Sequence, residues 1–194
     1  MYVQLLFGIS VAFGFVAWAV VTALYIWPEL QVRSRSEALR PLLVLHGFRF
    51  IGLSFLVPGV VSPDLPIAFA RDAAYGDMVA AILALLALTA LRTRLGIALV
   101  WVFNIWGSLD LLNAFYQANG GGLSAGQLGA TYFIPTTIVP LLLITHGLVF
   151  RILLLPAERS PRRENPHLAM RQSIDADRDW VSERRAIEGI SRPR

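Results

Sequence analysis

The sequence predicts an all-α fold: an integral membrane bundle of five transmembrane helices, N-terminus outside and C-terminus cytoplasmic. Three observations carry this expectation: an apolar composition, five apolar stretches of membrane-crossing length, and arginines that fall mostly in alternate connections and the C-terminal segment. Of 194 residues, 56% are hydrophobic and only 15% charged, and the mean hydropathy is +0.59. That balance is too apolar for an ordinary soluble domain. The net charge of +4 does not point to nucleic acid, because most arginines lie between apolar runs or after the last one, where they orient a membrane protein.

The apolar stretches run near Val3–Trp27, Pro41–Val61, Pro66–Leu91, Gly96–Gln117 and Tyr132–Leu155. Each is about long enough to cross roughly 30 Å of hydrocarbon at 1.5 Å per residue. The first has no basic leader and no small-residue cleavage site, so it is expected to remain as a helix. Tyr25, Trp27 and Pro28 mark its end as interfacial aromatics and a helix stop.

Arg33, Arg35 and Arg40 fall in the first connection, Arg92 and Arg94 in the third, and most other arginines after Leu155. The positive-inside rule places all three in the cytoplasm. Pro63, Asp64 and Pro66 occupy the short second connection, where Asp64 is a candidate helix cap, and the fourth, "ANGGGLSAGQLGA", carries no charge. Its run Gly120–Gly122 is expected to be mobile or tightly turned.

The domain division is therefore residues 1–156 as a transmembrane domain and 157–194 as a charged cytoplasmic tail, flexible or partly helical. Met170, Ile174, Val181 and Ile187 could form a weak apolar stripe in that tail, the sharper reading being a docking helix for a membrane-protein partner. The expected surroundings are a lipid bilayer, in a bacterial-type inner membrane.

Two absences exclude whole classes of chemistry. Without cysteine there is no disulfide, thiolate zinc site, iron–sulfur cluster or covalently attached haem. All seventeen basic residues are arginine, so lysine Schiff bases and phosphate-loop lysines are excluded as well.

Ionisable groups at membrane depth are costly and are read as functional candidates. Helical side chains lean toward their own N-terminus, so only residues near that end reach the surface easily. Arg49, about 12 Å from the cytoplasmic end of the second stretch, is expected to snorkel or to form a buried site. Asp77 follows the outer N-terminus of the third stretch, where lean and helix dipole both suit an anion. Asp110, within "FNIWGSLDLLNAFYQ", has neither advantage and requires a partner, water or a proton. Asn113 and Gln117 extend it into a polar stripe, with Trp106 and Gly107 below. Asn104 lies deeper on the same segment.

His46 and His146 lie at similar depths on antiparallel helices, each followed by glycine in "LHGF" and "THGL". Such a pair suits either cross-helix hydrogen bonding or ligation of a b-type haem. Pro140 frees the carbonyl of Thr136, and the hydroxyls of Thr136, Thr137 and Thr145 could satisfy the backbone of a kinked last helix. Trp18, Trp101 and Trp106 read as packing residues.

The expected binding residues are Asp110, Asn113, Gln117, Asp77, His46, Arg49, His146 and Asn104, forming a polar intramembrane site that binds or passes a proton, ion or small molecule. Three alternatives stand beside it. One is an intramembrane acid–base enzyme on a lipid or isoprenoid substrate, although no H-E-x-x-H or G-x-S-x-G signature is present. The others are a non-catalytic subunit of a membrane complex and the haem protein. The residues single out no cofactor and leave the question of enzymatic activity open.

Overall fold

A computed structural model describes residues 2–120 and 123–155. The tail stripe and residues 121–122 of the glycine run lie outside the described residues. Among the described residues the fold is all-α, with six α-helices extended by shorter 3-10 and π-helical segments. Five helical spans are long and apolar enough to cross a membrane: Tyr2–Gln31, Arg35–Leu56, Ile67–Ala90, Arg94–Ala118 and Ile134–Leu154. They are called spans 1 to 5.

Span 1 does not stop at Pro28. It continues to Gln31 because a π-helical turn, Thr22–Ile26, precedes the proline. A wider turn relieves the clash between the pyrrolidine ring and the carbonyl four residues back. Span 5 repeats the device, with a π-helical Ile134–Ile138 ahead of Pro140. Its loosened carbonyls are covered from span 1. Trp18 Nε1 donates to the Thr137 carbonyl at 2.9 Å, and Gly14 lies against the Thr136 carbonyl where a Cβ would collide. Of the threonines expected to satisfy this backbone, Thr136 donates to the Tyr132 carbonyl and Thr145 to those of Leu141 and Leu142.

Span 2 starts earlier than hydropathy indicates, since the reciprocal Ser34–Glu37 capping box begins the helix at Arg35 and Pro41 is absorbed within it. It also ends earlier, at Leu56, before a turn through Gly59 at φ 83°. Its second half, Phe48–Leu56, is wound as a 3-10 helix. Span 3 is capped by Pro66 without a side-chain hydrogen bond, so Asp64 is not its cap. Alanines 70, 73, 74, 80, 81, 84 and 87 are buried along it, which lets spans 2 and 4 approach closely.

The core has two parts. One includes Leu39, Leu43, Ala84, Val100, Phe103 and Val149, toward the arginine-rich end. The other includes Phe55, Ala70, Leu111, Leu128, Ile134 and Leu142, toward the opposite end. At that second end the connections join, with Ala130 N–H donating to the Val60 carbonyl at 2.8 Å and Ser62 N–H to that of Gln127 at 3.0 Å. On spans 2, 3 and 5 the residues between the two apolar clusters include Arg49, Asp77 and His146.

Candidate functional site

Arg49 does not snorkel. It is 1% exposed, because the tight 3-10 segment carries it on the face turned toward spans 3, 4 and 5. Its Nε donates to Asp77 Oδ1 at 2.7 Å, and Nη2 donates to Asp110 Oδ2 at 2.6 Å. Nη2 also stands 2.7 Å from Asp77 Oδ1. Nη1 reaches the Gly107 carbonyl and His146 Nε2, both at 3.2 Å. One guanidinium therefore engages spans 3, 4 and 5 with all three nitrogens.

The network assigns the imidazole protons. Guanidinium nitrogens only donate, so His146 Nε2 accepts and its proton sits on Nδ1, 2.7 Å from Asn104 Oδ1. Asn104 Nδ2 returns a bond to the His146 carbonyl at 3.3 Å. His46 Nε2 is 3.0 Å from Thr145 Oγ1. That hydroxyl already donates to the Leu141 and Leu142 carbonyls, both at 2.9 Å, so His46 donates to it. His46 Nδ1 is then buried without a partner.

Three glycines make room for these groups. Gly52 faces the Asp77 carboxylate, Gly76 faces the Asp110 carboxylate, and Gly107 faces both Arg49 and His146. A Cβ at Gly107 would stand 2.6 Å from His146 Cε1 and 2.7 Å from Arg49 Nη1. The small residue on each span thus receives the polar group of a neighbour. Gly47 and Gly147, the glycines following the histidines, do not serve this purpose: Gly47 packs on Leu85 and Gly147 has open space.

The histidines meet, but not as haem ligands. Their ring centroids are 4.2 Å apart and inclined at 46°, with Phe103 against both. A bis-histidine haem needs a flat macrocycle between two ring nitrogens aimed at one iron. These rings touch directly, and both nitrogens of His146 are engaged by Arg49 and Asn104, so the pair as arranged does not fit haem.

Of the expected site residues, Arg49, Asp77, Asp110, His146 and Asn104 form one hydrogen-bonded cluster, with the tilted ring of His46 packed against His146. Asn113 and Gln117 do not join. Asn113 is exposed, while Gln117 Nε2 donates to Asp72 Oδ2 at 3.1 Å. Both border a shallow depression that also touches Asp110.

Adjoining this depression, and sharing Phe69, Ala73, Asp110 and Ala114 with it, is a cleft of about 550 Å³ counted to its open mouth, lined by Asp77 and Asp110. Its walls are apolar and include Phe7, Phe55, Phe69 and Phe115. Sequence reading did not anticipate these rings, nor Gly52 and Gly76, because nothing local marks a phenylalanine or glycine as facing a carboxylate. The only usable signal was the recurrence of glycine at the depth of the charges.

Chemically, the cluster combines one guanidinium with two carboxylates. If all three are ionised it carries a formal surplus of one negative charge, which a proton or an external cation balances. The arrangement defines a helical protein with five candidate membrane spans around a buried ionic cluster. The chain belongs to the family described as Domain of unknown function (DUF8737), which matches residues 6–154 and so includes every member of that cluster. No curated protein and no solved structure matches it.

Proposed function

We propose that this chain is a multipass inner-membrane protein, N-terminus outside and C-terminus cytoplasmic, whose Arg49-centred cluster and adjoining cleft form an intramembrane binding site for a proton, ion or small molecule. One observation carries the reading: the cluster is locked on one side and accessible on the other. The Arg49 side chain is 0% exposed, whereas that of Asp110 is 13% exposed and lines both the cleft and the depression. A purely structural ion pair gains nothing from lying at the floor of an open cleft.

Native mass spectrometry of the protein in lipid nanodiscs tests this against Asp110→Asn, which keeps the side-chain shape and removes the charge. The expected result is a bound molecule retained by the wild type and lost from a variant that still melts cooperatively. Wild type carrying only exchangeable bulk lipid, with the variant indistinguishable, would reject the site.

A second reading, an assembly brace, is supported by the engagement of all three guanidinium nitrogens of Arg49. It predicts a different outcome, in which Asp110→Asn lowers stability and changes nothing in what co-purifies. The non-catalytic subunit considered from sequence falls under this reading.

A further inference from the structure

We infer that the occupant of the cleft is an amphiphilic organic cation, an ammonium or similar monocation on an apolar body. The inference rests on the cleft being a binding site and names the ligand class.

Three features of the cleft select that class. First, among the described residues Asp77 and Asp110 are the only charged side chains lining it, and the others are apolar. Arg49 lies behind them, with its donors committed to the cluster, so an anionic headgroup would meet two carboxylates and no free cation. The formal surplus of one negative charge is balanced by a single positive one, and in a low-dielectric setting that balance matters more than in water.

Second, each carboxylate spends one oxygen on Arg49 and keeps one in reserve. Oδ2 of Asp77 lies against Gly52 and Oδ1 of Asp110 against Gly76, where no protein N–H or O–H among the described residues meets them. Asp77 is 6% exposed and lines the cleft, so its carboxylate meets that space with little water around it. Such groups are costly unless something supplies a donor or a positive charge.

Third, the walls suit the rest of the molecule. The aromatic rings of Phe7, Phe55, Phe69 and Phe115 offer π faces that attract cations as well as apolar surface. The enclosed part of the cleft is only about 50 Å³, so a compact charged head sits inside it and the apolar body lies along the open mouth.

The test uses the full-length protein in nanodiscs with hexylammonium as probe and hexanoate as a control of matched chain length and opposite charge, measuring saturable binding above empty nanodiscs. The expected result is stoichiometric binding of the cation, none of the anion, and at least about tenfold weaker cation binding in Asp110→Asn, the size of a lost charge-assisted contact. Ala114→Phe, which narrows the cleft without removing an ionic group, is expected to abolish cation binding and serves if Asp110→Asn does not fold. Equal or tighter binding of hexanoate, or cation binding unaffected by both variants, would overturn the inference. A neutral or anionic molecule released only from wild type, without saturable hexylammonium binding, would overturn the cationic class while leaving the binding site itself standing.

Discussion

Oδ1 of Asp110 packs against Gly76 of the neighbouring span, in space that a Cβ would fill. The same carboxylate holds Arg49 through its other oxygen at 2.6 Å. Span 3 therefore sets how far the acid of span 4 reaches toward the arginine of span 2. Gly76→Ala should push Asp110 off Arg49 and destabilise the protein by about 1–3 kcal/mol, the usual cost of overpacking. Gly8→Ala, where nothing lies within 4 Å, is the matched control and should be neutral or slightly stabilising. Equilibrium unfolding in detergent compares them, and equal midpoints for the two variants would contradict the packing role of Gly76.

Arg49 is the group whose loss leaves the most behind. Arg49→Met strands two carboxylates in a buried setting and should cost about 3–5 kcal/mol. Adding Asp77→Asn and Asp110→Asn to it removes the stranded charges, so the triple variant should be more stable than Arg49→Met alone. Strictly additive losses in the same unfolding assay would show that the three do not act as one ionic unit.

The hydrogen-bond network also makes a spectroscopic prediction. His146 should carry its proton on Nδ1, because Nε2 accepts from Arg49, while His46 should carry its proton on Nε2, donated to Thr145. Nitrogen-15 shifts of labelled imidazoles in lipid report the two tautomers separately. Finding the same tautomer at both positions would break the donor assignment.

The proposed orientation is testable because the sequence has no cysteine. Asp64→Cys in the second connection should react with a membrane-impermeant maleimide on intact cells. Val32→Cys, 79% exposed in the first connection, should react only after permeabilisation. The reverse pattern would invert the topology.

Much of the bundle was legible in the sequence. Span 3 begins and ends within a residue of where hydropathy placed it, since apolar length alone decides such a segment. Span 2 was displaced because capping by Ser34 and Glu37 and the turn at Gly59 outweigh hydropathy at its ends. The stop expected at Pro28 failed because a π-helical turn accommodates the ring. The need of Asp110 for company was readable from the lean of its side chain along the helix, but the identity of its partner was not. Arg49 was equally compatible with snorkelling toward the headgroups, and depth alone could not choose between the two.

By itself the sequence determined the number of apolar spans and the position of each ionisable group along its span, because these depend on helical rise and apolar length along a single segment. Only the tertiary structure decided that Arg49 turns inward between Asp77 and Asp110, that Gly52, Gly76 and Gly107 make the space for these groups, and that four phenylalanines line the same cleft as the carboxylates. Those outcomes depend on how each helix is rotated about its own axis, and that rotation is set by packing against the neighbouring helices.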